Sequence, residues 1–292
     1  VGMTASLTKI PVVKQLFETA KKILGYNLLE LCLNGPKTEL DRTMYCQPAV
    51  FVASLAALEK YKKMQGKGWF DERNIVTAGY SVGELAALVL SKALTFEDGL
   101  RLVNIRAKAM QHASDKNPSG MVTVAGLTEL ETEEILKTVR ALCKKEVEIK
   151  IANYLHPKGF VVAGERTAID YLLKLPHDGQ MSELAVSGAF HTPLMEYAQP
   201  VLSQALDSME VKTPQIQVYS NVTGKLYRSI EDIKKLLPRQ VVEQVQWQRI
   251  IDDLCESKYD QTFYEIGPGR QLTAALAKTD RKLVRKCKNV EA

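Results

Sequence analysis

The first third of the chain alternates helical and strand-like patterns of apolar positions. Apolar residues recur every three or four positions over residues 11–32 and, directly after Pro48, over 49–64, which predicts two helices. A short apolar run at 75–78 is typical of a buried strand, and a further helical pattern covers 96–113. This order predicts an α/β arrangement.

The pattern changes after a turn cluster at residues 117–120 (NPSG). The stretch that follows has the order strand, helix, strand, strand, helix, strand, which is the ferredoxin-like pattern. The α/β alternation resumes after Ser187. We therefore predict a larger α/β domain made of residues 1–117 and 187–292, with a ferredoxin-like domain inserted at 118–186.

The resumed part predicts three more kinds of element. Thr192 and Pro193 are a typical N-cap and first residue of a helix. Strands are predicted at 216–220 and 262–266, with a helical stretch over about 230–256 between them. A glycine-proline-glycine turn then leads into a final helix.

Composition is that of an ordinary soluble globular protein and limits the partners. Of 292 residues 46% are hydrophobic and 25% charged, and 39 Lys and Arg against 34 Asp and Glu give a net charge of +5. This mild, dispersed charge argues against nucleic acid as the main partner. The five widely spaced cysteines predict neither a disulfide framework nor a metal site. No apolar run is long enough to predict a membrane span or anchor.

The strongest chemical signal is a serine between two glycines at residues 79–83 (GYSVG). It lies between the strand predicted at 75–78 and a helical pattern that starts at residue 84, which is the context of a nucleophile elbow. In that turn the Ser81 hydroxyl is exposed at a helix N-terminus. The pattern therefore predicts an acyl-transferring serine enzyme.

A serine hydroxyl needs a base, and His191 is the favoured candidate among the four histidines. It follows a small-residue approach at 187–190 (SGAF) and precedes a predicted helix, whose N-terminus disfavours the imidazolium form. No carboxylate stands near it in the sequence. A distant carboxylate or a backbone carbonyl is therefore expected to orient the ring.

Several motifs together resemble those of the malonyl-CoA:acyl carrier protein transacylases, in the form found in animal mitochondria. They are 46–49 (CQPA), 79–88 (GYSVGELAAL), 103–111 (VNIRAKAMQ), 187–191 (SGAFH), 219–224 (YSNVTG) and 265–272 (EIGPGRQL). The resemblance covers nearly the whole chain. It implies that the larger domain is α/β-hydrolase-like with a parallel sheet, and that the active site lies in the cleft between the two domains.

The resemblance also implies three chemical roles. Ser81 carries malonate as an ester, and His191 acts as general base and then as general acid. Arg106 pairs with the free carboxylate of malonate, since its planar guanidinium binds a carboxylate through two hydrogen bonds and stays charged. Pairing of this kind would select malonyl over acetyl groups.

Four supporting residues follow from the same resemblance. The backbone carbonyl of Gln240 orients the histidine, and the backbone N–H of Val82 is one donor of the oxyanion hole. Gln47 and Asn153 lie in segments that resemble family segments near the active site, where each either binds substrate or is a satisfied structural amide. The other oxyanion donor belongs to a Gly-Gln-Gly-Ser-Gln segment that precedes Val1 in relatives, so we expect the chain to be trimmed there.

The implied reaction is a ping-pong transfer that supplies fatty acid synthesis. Malonyl-CoA acylates the serine, coenzyme A leaves, and the phosphopantetheine thiol of acyl carrier protein attacks the ester. No metal or other cofactor is expected, because the CoA thioester is a substrate and the acceptor protein carries the phosphopantetheine. We expect a monomer in the mitochondrial matrix, or in the cytoplasm if the source is bacterial. The alternatives are an acyl-promiscuous transacylase or thioesterase of the same fold, and a non-catalytic binding or RNA-associated protein that retains it.

Overall fold

The fold is that of a computed structural model, in which residues 1–66, 75–143, 146–256 and 261–292 are described. Within these ranges the helices are α1 (Pro11–Leu24), α2 (Leu28–Asn34), α3 (Lys37–Leu40), α4 (Thr43–Gln65), α5 (Val82–Leu90), α6 (Phe96–Lys116), α7 (Glu129–Leu142), α8 (Arg166–Leu172), α9 (Ala198–Asp207), α10 (Ile230–Leu236), α11 (Trp247–Glu256) and α12 (Gln271–Thr279). The strands are β1 (Val76–Thr77), β2 (Ser119–Ala125), β3 (Ile149–His156), β4 (Gly159–Glu165), β5 (Gln180–Glu183), β6 (Gln217–Val218), β7 (Val245–Gln246), β8 (Phe263–Ile266) and β9 (Cys287–Val290).

A sheet with the strand order β5-β2-β4-β3-β7 organises the middle of the described chain. Neighbouring strands from β5 to β3 pair antiparallel, and β7 from the later part of the chain adds parallel to β3. Helices α7 and α8 pack on one face, in a core that includes Leu136, Ile151 and Val162. The predicted order of strands and helices is therefore present, while the domain boundaries at 118 and 186 stay a prediction.

The opposite face of this sheet packs on the larger part of the protein. Successive strand residues point to opposite faces, so Val122 lies in the core under α7 while Met121 lies on the other side. There Met121 and Val161 form a buried cluster with Ala189, and Phe190 packs against it. The segment that leads to His191 is thereby held against the sheet.

The larger part combines a helical core with short parallel strand pairs. Buried side chains of the long helices, such as Phe51 of α4 and Met110 of α6, share one core with Leu85 of α5. Strand β1 pairs parallel with β6, and β8 pairs parallel with β9. The predicted α/β class with parallel pairing is confirmed, although β1 and β6 are each two residues long.

Two helices predicted as continuous are interrupted by glycine or proline. Gly25 has a φ of 83° and ends α1, so the pattern over 11–32 forms two helices. Pro238 opens a 3₁₀ turn, Pro238–Val241, which interrupts the stretch predicted as helical over 230–256. The 3₁₀ turn is important for the site because its Gln240 carbonyl contacts the side chain of His191.

The helix predicted to begin after Pro48 begins earlier, at Thr43. The proline lies inside α4 and is itself buried, so burial of this segment outweighs the hydrogen bond that proline cannot donate. The early start places Gln47 on the buried side of the helix. No helix within the described ranges has both the length and the apolar character needed to cross a membrane.

Candidate active site

A strained turn between β1 and α5 positions Ser81. The serine has φ 51° and ψ −111°, a conformation that few residues with a side chain adopt, and Val82 directly after it begins α5. The Asn221 side chain holds the turn at two points, on either side of Tyr80. Its Oδ1 accepts the Ser81 backbone N–H at 2.7 Å, and its Nδ2 donates to the Gly79 carbonyl at 2.7 Å.

The two glycines of the turn differ in their need to be glycine. A Cβ added to Gly79 would lie 1.9 Å from the carbonyl atoms of Gly83, whereas a Cβ added to Gly83 would meet nothing within 4 Å. We expect Gly79→Ala to lower the free energy of unfolding by at least about 1–3 kcal/mol, since backbone must shift to relieve the overlap. Gly83→Ala is the matched control and should not lower the midpoint of thermal unfolding, because alanine favours the helix in which Gly83 lies. Equal midpoints for the two variants would contradict this account of the turn.

The imidazole of His191 lies beside the serine and is oriented by backbone. Its Nε2 is 3.0 Å from Ser81 Oγ, and its Nδ1 is 2.7 Å from the Gln240 carbonyl oxygen. The His191 backbone N–H donates to the Val241 carbonyl at 3.0 Å. Both carbonyls end the 3₁₀ turn, where they have no partner within the turn. Because a carbonyl only accepts, Nδ1 carries the proton and Nε2 is free to accept one from the serine.

Burial keeps this histidine neutral. The pKa of His191 is lowered to about 3, chiefly by its removal from water and secondly by the positive charge of Arg106, while the hydrogen bond to Gln240 opposes the shift. The helix N-terminus invoked from the sequence is the wrong cause. A 3₁₀ turn, Pro193–Met195, follows the histidine, and α9 begins only at Ala198.

Helix α6 supplies a buried cation next to the nucleophile. Arg106 is 1% exposed, and its Nη2 donates to Ser81 Oγ at 3.1 Å and to Gln240 Oε1 at 2.7 Å. Its Nη1 donates to Gln47 Oε1, while no described residue accepts from its Nε. Burial lowers the pKa of Arg106 to about 10, against the effect of Glu84, so the guanidinium stays charged at neutral pH. The Nε–H of Arg106 is thus a buried donor that no described residue satisfies.

Glu84 is a site residue that the sequence analysis did not single out. This fully buried side chain of α5 accepts the Asn221 backbone N–H at 3.2 Å, the Tyr227 hydroxyl and the Gln240 side-chain amide. Burial raises its pKa to about 7, although these hydrogen bonds and Arg106 oppose the shift. The signal in the sequence was a carboxylate in the otherwise apolar helix VGELAALVL.

Two further residues named from the sequence are placed without a hydrogen bond to this cluster. No described residue accepts from the backbone N–H of Val82, which begins α5 beside the serine. Asn153 is buried in β3, and neither its side-chain nitrogen nor its oxygen has a hydrogen-bond partner in the described part of the chain. Their roles in binding stay predictions. No group of three His, Cys, Asp or Glu side chains in the described ranges could hold a metal ion.

The arrangement combines the groups needed to form an ester with an anionic acyl group. Ser81 supplies a partly exposed hydroxyl, His191 a neutral acceptor for its proton, and Arg106 a positive charge within hydrogen-bond distance of the same oxygen. All three side chains that the sequence assigned to the chemistry therefore meet at one point. Gln240 contacts all three residues: its backbone carbonyl accepts from His191, and its side chain accepts from Arg106 and donates to the Ser81 carbonyl.

Comparison with known proteins also indicates an acyl-transferring enzyme. The acyl transferase domain family matches residues 2–291. The mitochondrial malonyl-CoA-acyl carrier protein transacylase of Homo sapiens is 44% identical over 94% of this chain and 73% of the relative. The crystal structure of the transacylase of Clostridium perfringens has a TM-score of 0.88 at 31% identity and covers 100% of this chain and 89% of its own. A malonyl-transacylase solved in complex with its type II PKS acyl-carrier protein has a TM-score of 0.86 at 32% identity, with coverage of 99% and 90%. The chain therefore belongs to the acyl transferase domain family, among the malonyl-CoA-acyl carrier protein transacylases.

Proposed function

We propose that the protein transfers a malonyl group from malonyl-CoA to the phosphopantetheine thiol of an acyl carrier protein, through an ester on Ser81, and so supplies fatty acid synthesis. The observation that carries this proposal is the buried guanidinium of Arg106, whose Nη2 lies 3.1 Å from Ser81 Oγ. A fixed positive charge beside the nucleophile suits an acyl group that bears a carboxylate of its own.

Acylation begins when the serine oxygen attacks the thioester carbonyl. His191 Nε2 takes the hydroxyl proton, and the Gln240 carbonyl holds the Nδ1 proton and stabilises the imidazolium that forms. The N–H of Val82 lies at the start of a helix and donates to the developing oxyanion. The carbonyl re-forms as the C–S bond breaks, and the imidazolium returns its proton to the departing CoA thiolate. The carrier-protein thiol then repeats these steps in reverse order, with the serine as leaving group.

The malonyl carboxylate also strengthens the base. The charge of Arg106 is one of the two causes that lower the pKa of His191. A carboxylate paired with the guanidinium offsets that charge, so binding of the malonyl group raises the basicity of the imidazole next to it. An acetyl group gives no such compensation. Gln47 supports this step because its Oε1 accepts from Arg106 Nη1 and fixes one edge of the guanidinium.

Replacement of Arg106 separates the two acyl groups. In Arg106→Ala the malonyl carboxylate would be buried without a partner, which typically costs about 3–5 kcal/mol. We expect kcat/KM for loading from malonyl-CoA to fall by on the order of 10²–10³ and loading from acetyl-CoA to change far less. Arg101→Ala, on the exposed side of the same helix, is the matched control. Equal losses of kcat/KM for malonyl-CoA and acetyl-CoA would mean that Arg106 does not bind the malonyl carboxylate.

Transfer measured against hydrolysis tests the proposed activity. Incubation with malonyl-CoA and a holo-acyl carrier protein should give malonyl-carrier protein, detected by its intact mass, faster than free malonate. The alternative reading as a thioesterase predicts the reverse ratio, because it has no use for a charged arginine at the nucleophile. Loading that shows no preference between malonyl-CoA and other acyl-CoA donors would favour the acyl-promiscuous transacylase instead.

The proposal includes the surroundings of the reaction. A monomer suffices, because Ser81, His191 and Arg106 come from one chain. The reaction needs no metal or other cofactor, since it exchanges a thioester for an ester and a thioester again without a redox step. The relatives that are called mitochondrial support a mitochondrial location, and we propose the matrix, with the cytoplasm as the alternative for a bacterial source.

A further inference from the structure

One side chain connects the arginine of the site to a buried carboxylate that the proposed chemistry does not use. The side-chain oxygen of Gln240 accepts from Arg106 Nη2 at 2.7 Å. Its side-chain nitrogen donates to the Ser81 carbonyl at 3.0 Å and to Glu84 Oε2. The amide thus has its oxygen towards the cation and its nitrogen towards the carboxylate.

The direction of this amide depends on what Glu84 can accept. Three donors meet its two oxygens, namely the Asn221 backbone N–H, the Tyr227 hydroxyl and the Gln240 N–H. An ionised carboxylate is acceptor-only and satisfies all three. A neutral amide at the same position would present N–H groups to at least one donor. Gln240 could then rotate its own amide and turn N–H groups towards the guanidinium, with which they cannot pair.

We propose that Glu84 is a positioning residue, which fixes the direction of the Gln240 side chain and thereby holds Arg106 ready for the malonyl carboxylate. The inference rests on the proposed function. The inference goes beyond the proposed function because it assigns part of the preference for malonyl to Glu84, a carboxylate that contacts neither the substrate nor the serine hydroxyl. Glu84 also supplies a negative charge near the buried guanidinium, which favours the charged form of Arg106.

The arrangement predicts a pH dependence of the preference for malonyl. Four residues face Glu84, namely the charged Arg106 of α6, the Tyr227 hydroxyl, and the uncharged Asn221 and Gln240. The negative charge of Asp232 in α10 raises the pKa of Tyr227 in turn. Burial raises the pKa of Glu84 to about 7, so its carboxylate gains a proton as the pH falls through that value. The protonated form has lost its negative charge and carries an O–H donor of its own, so it holds the Gln240 side-chain N–H less firmly than the ionised carboxylate does. The malonyl preference should therefore decline on the acidic side.

The test compares Glu84→Gln with the unchanged protein over a range of about pH 5.5 to 8.5. For each, kcat/KM for Ser81 loading is measured with malonyl-CoA and with acetyl-CoA. In the unchanged protein the malonyl-to-acetyl ratio should rise with pH through the neutral range. In Glu84→Gln the ratio should fall by on the order of 10- to 100-fold and lose its pH dependence. Glu97→Gln, an exposed carboxylate at the start of α6, is the matched control and should keep both features.

A second variant keeps the inference testable if Glu84→Gln does not fold. Tyr227→Phe removes one donor that stabilises the ionised carboxylate, so the pKa of Glu84 rises and the decline of the ratio should move to higher pH. An unmoved profile in Tyr227→Phe would overturn the inference. If Glu84→Gln folds but loses kcat/KM equally for malonyl-CoA and acetyl-CoA, the inference is also overturned, because a merely structural role would lower both values alike. If the unchanged protein does not load malonyl at all, the proposed function itself fails.

Discussion

Replacing Ser81 with alanine is expected to abolish the malonyl ester on the protein. The hydroxyl is the atom that forms the bond, and its neighbours are arranged around it: His191 Nε2 at 3.0 Å and Arg106 Nη2 at 3.1 Å. Alanine leaves no nucleophile at this position, so the loss of transfer should reach on the order of 10⁵–10⁶ in kcat. The readout is the intact mass of the protein after incubation with malonyl-CoA.

Ser91 provides the matched control for this variant. It caps the other end of the same helix, where its hydroxyl donates to the Leu88 carbonyl at 2.9 Å. Ser91→Ala should still acquire the ester. A malonyl adduct on Ser81→Ala, at any residue and at a rate near that of the unchanged protein, would remove Ser81 from the mechanism.

Replacing His191 with alanine should have the next largest effect. Without the imidazole no group takes the serine proton during attack or returns it to the departing thiol, so both half-reactions should slow by on the order of 10⁴. Loading and transfer are followed separately by the masses of the enzyme and of the carrier protein. His112→Ala is the control, since that ring packs at a tilt against Tyr197, with centroids 4.6 Å apart, and lies outside the cluster.

The pH profile with acetyl-CoA gives an independent check on this base. Because burial and Arg106 lower the pKa of His191 to about 3, the ring stays neutral well below the usual value for histidine. Loading by a donor without a carboxylate should therefore not decline between about pH 8 and pH 5 through protonation of this ring. A decline centred near 6.5 that disappears in a variant of His191 would contradict the lowered pKa.

Local sequence patterns predicted the parts of the site that one segment builds. The elbow needs a strand, a tight turn and a helix in immediate succession, and residues 79–83 with their flanks contain all of it. His191 was identified in the same way, because the small residues before it and the helical signal after it are both neighbours in the sequence. The resemblance of several motifs to one family then named that family, which the comparisons confirm. The resemblance was also the only route to the Gln240 carbonyl, because no pattern in a sequence identifies a backbone atom as functional.

The remainder of the site depends on contacts between distant segments. Glu84 and Asn221 are 137 residues apart, and their hydrogen bond exists only because β6 pairs beside β1. The low pKa of His191 likewise comes from burial, which no local pattern reports. Strand β9 was not predicted for a similar reason: its four residues are too few to show a strand pattern, and the strand forms by pairing with β8. The start of α4 before Pro48 shows burial outweighing a local rule.

The most direct measurement is the intact mass of the unchanged protein after separate incubation with malonyl-CoA and with acetyl-CoA, followed by peptide mapping. We predict a gain of one malonyl group, located on the peptide that contains Ser81, and little or no gain from acetyl-CoA. No gain from either donor, equal gains from both, or a malonyl group on another residue would contradict the account of a serine acylated beside a carboxylate-reading arginine.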